Sequence, residues 1–187
     1  MPGSASDARG SADFHCGATS VPCIDAAALV EMMESGSPVV IVDVRTRCER
    51  SVAMIPGSIG VEEFERELAS GAFRDAIVVA ACTVGRRSGR YADRLESDVS
   101  SRDLCKEVRN SMGIVEYSHH PTAYGDGPHA LVDAAGHPAA RLHVFASPWD
   151  LGSDRFVPVR FAPLQAIAVS LCPAWFDATS SSSPRLS

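Results

Sequence analysis

The chain reads as an α/β domain with a largely parallel sheet. Three observations carry that reading. Val39 to Val44 is an unbroken apolar, β-branched run, and Ala76 to Ala81 is a second one. Runs without polar alternation suit strands buried on both faces, as in parallel sheets. Segments with helical spacing alternate with these runs along the chain, which places the helices in crossovers between parallel strands.

The elements follow in order. Residues 1–17 are small and polar and are expected to be disordered. Asp25 is a good N-cap for a helix running to about Glu34, with Gly36 at its stop. The first buried strand follows and ends in Asp43-Val44-Arg45. Ile55-Pro56-Gly57-Ser58-Ile59 reads as a turn leading into a short strand. Val61 to Leu68 has helical spacing, with Phe64 and Leu68 on one face. The second buried strand runs directly into Cys82-Thr83-Val84-Gly85-Arg86-Arg87-Ser88, and a helix is expected from about Ser88 to Leu95. Leu104 to Val108 is the last expected strand of the sheet. Beyond Gly113 the pattern weakens. Leu131-Val132-Asp133, a turn at Ala135-Gly136, and Arg141 to Phe145 predict a small hairpin. The expected organisation is one domain over residues 18–150 and an extension over 151–187 whose Ser-rich end is disordered.

Composition narrows the function classes. The 187 residues are 45% hydrophobic and 21% charged, ordinary for a globular protein. A net charge of −6 argues against a nucleic-acid partner, which calls for a basic face. Phe161 to Phe176 is strongly apolar, but its sixteen residues hold Pro163 and Pro173 and fall short of the roughly 20 needed to span a bilayer, so no membrane partner is expected. None of the six cysteines forms a CxxC pair, and Met1 to Ser20 has no apolar signal-peptide core. The expected compartment is therefore reducing: the cytoplasm, with a mitochondrion as the alternative. Thiols there are mostly free. The histidines and cysteines have no tight ligand spacing, so neither a metal nor another cofactor is expected. Trp149 and Trp175 are read as packing anchors, and Cys48 and Cys105 as ordinary cysteines.

The chemistry lies at Cys82. It stands at the carboxyl end of a buried strand, one short loop before a helix, which is where open α/β sheets bind ligands. A helix N-terminus offers unpaired N–H groups and the positive end of its dipole. Gly85 permits a tight turn whose N–H groups can form an anion nest. Arg86 and Arg87 add fixed positive charge. These are the features that make a cysteine reactive.

The loop resembles that of the rhodanese family at all four positions of its C-x-x-G-x-R-S form: Cys82, Gly85, Arg87 and Ser88. Asp43-Val44-Arg45 with Glu49, and Ile55-Pro56-Gly57-Ser58, resemble the family's upstream signature. Val108-Arg109-Asn110 and Gly113-Ile114 with Tyr117 are similar to its closing motif. The resemblance spans about residues 20–145. Met112, Tyr117, Arg50 and Met54 replace, respectively, a glycine, a tryptophan, an aromatic and a histidine usual in the family. The resemblance implies a five-stranded, mostly parallel sheet with helices on both faces. It also implies a sulfurtransferase that carries sulfur as a Cys82 persulfide from a thiosulfate-like donor to cyanide or a thiol, without a cofactor. Thr83, Val84, Gly85, Arg86, Arg87 and Ser88 would bind the sulfur and the anionic donor. Asp43 would hold a loop arginine, and Arg45 would pair structurally with Glu49. The partners so implied are a small sulfur-containing anion and a thiol acceptor, with the protein a monomer or weak homodimer. Two alternatives stand beside this one. The first is a cysteine-dependent phosphatase or arsenate reductase on the related fold, disfavoured because only four residues separate Cys82 from Arg87 and such loops have about five. The second is a non-catalytic protein-binding module.

Overall fold

The computed structural model describes residues 4–16, 18–98 and 103–161. Its elements are α1 (Ala5–Cys16), β1 (Cys23–Ile24), α2 (Ala26–Glu34), β2 (Val39–Asp43), α3 (Arg47–Val52), β3 (Ile59–Gly60), α4 (Val61–Ala69), β4 (Ile77–Ala81), α5 (Arg86–Ser97), β5 (Glu107–Ser111), α6 (Ile114–Tyr117), β6 (Arg141–His143) and β7 (Val157–Val159). Five strands form one sheet in the order β1-β5-β4-β2-β3. Every pairing in it is parallel, in keeping with the expected five-stranded sheet.

The two apolar runs are its centre. Val39 pairs with Ile77 and the register continues to Asp43 beside Ala81. Because both faces of this pair are covered, neither run needs polar alternation. On one face Ile41 and Val79 pack with Leu29 and Val30 of α2 and with Ile114 and Val115 of α6. On the other, Val42, Val78 and Ala80 pack with Phe64 and Leu68 of α4 and with Tyr91 and Leu95 of α5. Asp25 caps α2 as expected, accepting from Ala28 N–H at 2.9 Å.

Several expectations are corrected. Residues 5–16 form a helix rather than a disordered arm. Ser4 and Asp7 exchange side-chain and backbone hydrogen bonds in a reciprocal cap, and Ala8 is buried in the core. Cys16 and Cys23 form a disulfide between α1 and β1, so these two thiols are not free. The hairpin turns at Ala135-Gly136 as expected, but its return side is residues 137–139 and not Arg141 to Phe145: Asp133 N–H donates to His137 O and Ala139 N–H to Leu131 O, both at 2.8 Å. Val132 bridges Pro138 and Met54, while Arg141–His143 pairs in parallel with Val157–Val159. A partner strand sixteen residues further along cannot be read from local turn signals. The last sheet strand begins at Glu107, not Leu104, and α5 begins at Arg86, two residues early.

The stretch after 150 is therefore continuous with the domain as far as residue 161. Ser153 N–H donates to Ser118 Oγ at 3.0 Å, and Arg155 reaches the carbonyls of His119 and Pro121. The apolar run Phe161 to Phe176 lies outside the described residues except for Phe161, as does Trp175. Among the described residues no helix is long and apolar enough to cross a membrane.

The positions that depart from the family pattern are filled by local packing. Tyr117 is buried and its hydroxyl donates to His129 O at 2.9 Å. The Arg50 guanidinium occupies the space over Gly60. The glycine that remains in the closing motif, Gly113, has φ +102, and a Cβ there would sit 2.6 Å from Thr83 O. Gly113→Ala is expected to cost at least about 2 kcal/mol, combining left-handed strain with overpacking. Urea denaturation of the pure variant measures that loss; a midpoint equal to wild type would contradict it.

Candidate active site

Cys82 follows β4, the central strand, and is buried at 1% exposure. Gly85 turns the chain at φ +83 and caps α5. Two elements hold the loop from behind. Ile114 N–H donates to Cys82 O at 2.8 Å and Val115 N–H to Thr83 O at 3.1 Å, so the start of α6 takes up the loop carbonyls. Asn110 Nδ2 donates to Gly85 O at 3.0 Å.

The loop's N–H groups are left over. Among the described residues, the N–H groups of Thr83, Val84, Gly85, Arg86 and Arg87 donate to no protein acceptor. Thr83, Val84 and Gly85 are buried residues. Buried N–H groups without an acceptor are costly, and such a set is suited to an anion. Ser88 Oγ donates to Cys82 Sγ at 3.3 Å.

The supporting charges differ from the expected pairing. Arg87 forks onto Glu49, with Nη1 to Oε2 at 2.9 Å and Nη2 to Oε1 at 2.7 Å, and also donates to Thr83 Oγ1 at 3.1 Å. Glu49, not Asp43, is the acid that holds the loop arginine. Arg45 in turn pairs with Asp43, not Glu49: Nε lies 2.9 Å from Oδ1 and Nη2 lies 2.6 Å from Oδ2, both residues being buried. A second bond from Arg45 Nη2 to Ala53 O ties the end of β2 to the end of α3. The reason for the exchange is local geometry. Asp43 and Arg45 flank one residue at a strand end, while Glu49 is fixed by the cap of α3. There Thr46 N–H and Thr46 Oγ1 each donate to Oε2 at 2.9 Å, leaving the carboxylate facing Arg87.

Burial works against a charge on Glu49, but Arg87 and Thr46 outweigh it and hold the carboxyl down at about 2. Burial likewise opposes the charge on Arg87, and Glu49 overcomes it, raising its pKa. His143, the end of β6, adds a third member. Its Nδ1 lies 3.4 Å from Glu49 Oε1, and its ring stacks on Phe161 and meets Phe145 edge-on. Burial first, then the nearby Arg45 and Arg87, push it down to about 4 against the pull of Glu49. It is neutral at pH 7.

A cavity of about 450 Å³ opens on the loop, lined by Cys82, Thr83, Val84, Arg86, Arg87, Phe145, Ala146, Ser147 and Trp149. Trp149 is thus a wall of the site and not a buried packing anchor. Arg86 is exposed at this cavity and makes no ion pair among the described residues, unlike Arg87. The sequence reading missed His143, Phe145 and Trp149 as site residues because they follow the last recognisable motif and carry no periodic signal. It singled out Glu49 but gave it the wrong partner. Cys105 is buried in the opposite core, away from this cavity. No group of three or more metal-ligating side chains occurs among the described residues.

Strand order, the loop at the carboxyl end of the central strand, and the parallel five-stranded sheet with helices on both faces agree with what the rhodanese resemblance implies. No family model matches the chain, and no curated protein matches it. Several solved structures do. A rhodanese-like domain protein from Staphylococcus aureus is 24% identical with a TM-score of 0.43, covering 54% of this chain and 94% of that one. A protein from Staphylococcus saprophyticus subsp. saprophyticus is 25% identical with a TM-score of 0.42, covering 54% and 96%. A thiosulfate sulfurtransferase from Pseudomonas aeruginosa is 17% identical with a TM-score of 0.49; it covers 72% of this chain, which spans 24% of that one.

The site makes stability pH-dependent. His143 binds a proton near 6.5 when unfolded and near 4 when folded. The unfolded state therefore takes up the proton first, and stability falls as pH drops through that window. The full loss for this group is about 3 kcal/mol, of which about 2 kcal/mol falls between pH 7 and pH 5. His143→Asn is expected to remove this part of the slope, measured as the difference in urea stability at the two pH values. An unchanged slope would show that His143 is not the titrating group.

Proposed function

We propose that the protein is a thiosulfate-type sulfurtransferase that carries sulfane sulfur on Cys82. The observation that supports this most directly is a buried cysteine beside N–H groups that have no acceptor among the described residues, at the carboxyl end of the central strand. A persulfide sulfur, or the anionic donor, supplies the missing acceptor.

In the first half-reaction the Cys82 thiolate attacks the outer sulfur of thiosulfate. A new S–S bond forms, the donor S–S bond breaks, and its electron pair leaves on sulfite. In the second, an acceptor nucleophile attacks the terminal sulfur of the Cys82 persulfide and the electron pair returns to Cys82 Sγ. Cyanide gives thiocyanate, and a thiolate gives a perthiolate. No electrons are gained or lost overall. This is covalent catalysis with one transfer split into two displacements.

The protein groups have separate tasks. Ser88 donates its hydroxyl to the sulfur. The 83–87 N–H groups meet negative charge on the transferred sulfur. Arg87, held by Glu49, fixes the loop through Thr83, and Arg86 offers its charge to the incoming anion. The loop has four residues between Cys82 and Arg87. That favours sulfur over the bulkier tetrahedral phosphate of the related phosphatases.

Incubation with thiosulfate is expected to add 32 Da to Cys82, a mass equal to one sulfur atom (roughly the scale of a single covalent transfer). Cyanide should then release thiocyanate and restore the original mass. Cys82→Ser should show neither the adduct nor thiocyanate formation. Wild-type protein that gains no adduct and makes no thiocyanate, but hydrolyses a phosphotyrosine mimic, would replace this reading with the phosphatase one.

A further inference from the structure

The site has a wall that the loop chemistry does not use. Phe145, Ala146 and Trp149 line the cavity over Cys82. Phe145 and Trp149 are 37% and 38% exposed. Large aromatic faces exposed in a concave site beside a nucleophile mark a surface for an apolar ligand. A cavity of about 450 Å³ is the size of a small organic molecule rather than of thiosulfate or cyanide.

The wall is fixed in place. The Arg87 guanidinium lies over the Phe145 ring at 5.5 Å from its centroid. His143 meets the same ring edge-on at 5.3 Å. Both contacts lead back to Glu49, which binds Arg87 and lies beside His143. The segment is held at both ends: Val144 N–H donates to Val159 O at 3.0 Å, and Arg160 reaches Phe145 O at 3.3 Å and Asp150 Oδ2 at 3.0 Å. Arg87 spends its charge on Glu49, whereas Arg86 at the same cavity has no acidic partner among the described residues.

We infer that Phe145 and Trp149 form a specificity-determining subsite for the sulfur acceptor, and that the acceptor is an organic thiol with an apolar body and a carboxylate. The apolar body lies against the two rings and the carboxylate faces Arg86. The acceptor thiolate attacks the terminal sulfur of the Cys82 persulfide. The Cys82 S–S bond breaks, its electron pair returns to Cys82 Sγ, and the product leaves as the perthiolate. The thiol proton goes to solvent. This rests on the sulfurtransferase reading and names its acceptor class.

The test uses the full chain, thiosulfate as donor and three acceptors: 2-mercapto-3-phenylpropanoate, mercaptoacetate and phenylmethanethiol. In wild type the phenyl carboxylate is expected to exceed mercaptoacetate in kcat/KM by about tenfold or more, the scale on which an apolar pocket discriminates. Trp149→Ala should bring that ratio close to one, and Trp149→Phe should restore most of it. Arg86→Gln should lower the ratio of the phenyl carboxylate to phenylmethanethiol by up to about fivefold, the worth of an exposed charge pair. If wild type gains the sulfur adduct but shows a ratio near one that Trp149→Ala leaves unmoved, the subsite is overturned while the sulfurtransferase reading stands. If wild type gains no adduct, it is that reading that fails.

Discussion

The Glu49–Arg87 pair is the interaction on which the site depends. It joins α3 to the first turn of α5 with two short hydrogen bonds. A buried carboxylate facing a half-buried guanidinium repays its desolvation only when the geometry is good and the remaining polar positions are satisfied. Here the cap of α3 meets that condition, since Thr46 gives Glu49 two further donors. The same residues that start a short helix thus prepare the carboxylate for its partner. Arg87 then reaches Thr83 within the loop, so an ion pair made with α3 limits how the loop can move.

A second pair, Asp43 with Arg45, is buried on both sides and shares no hydrogen bond with the first. Its contribution is different. It closes the carboxyl end of β2 against Ala53 O, keeping α3 at a fixed distance from the sheet. The charges of the two pairs balance, and His143 beside them stays neutral at pH 7. A charged His143 would face Arg45 and Arg87 as well as Glu49, which is why burial and those arginines depress it. The depressed pKa of His143 and the placement of the Phe145 wall therefore have a common origin in the groups around Glu49.

The backbone around Cys82 is divided by function. Loop carbonyls are taken by α6 and by Asn110, and the loop N–H groups donate to no acceptor among the described residues. That division requires the close approach of α6 to the loop, which Gly113 allows because it has no Cβ. It also shows why Met112 and Tyr117 are tolerated where the family usually has glycine and tryptophan. Met112 N–H donates to Ile24 O in the sheet extension, and Tyr117 fills the core with its hydroxyl paired.

The sequence by itself determined the α/β class, the two central strands, the helix caps at Asp25 and the position of Cys82 at a strand end. These are local properties: apolar runs, turn residues and motif order are written over a few consecutive residues. The loop motif also named Gly85, Arg87 and Ser88. Only the tertiary structure decided which acid holds Arg87, because Asp43 and Glu49 are both near in sequence and only the orientation of α3 separates them. It also decided the helix at Ala5–Cys16 and its disulfide, the pairing of β6 with β7, and the placing of His143, Phe145 and Trp149 at the site. Those contacts join segments distant along the chain, and no local periodicity records which distant segment a side chain will meet. Cys82 was legible because its chemistry depends on its neighbours in sequence; the wall facing it was not, because that depends on neighbours in space.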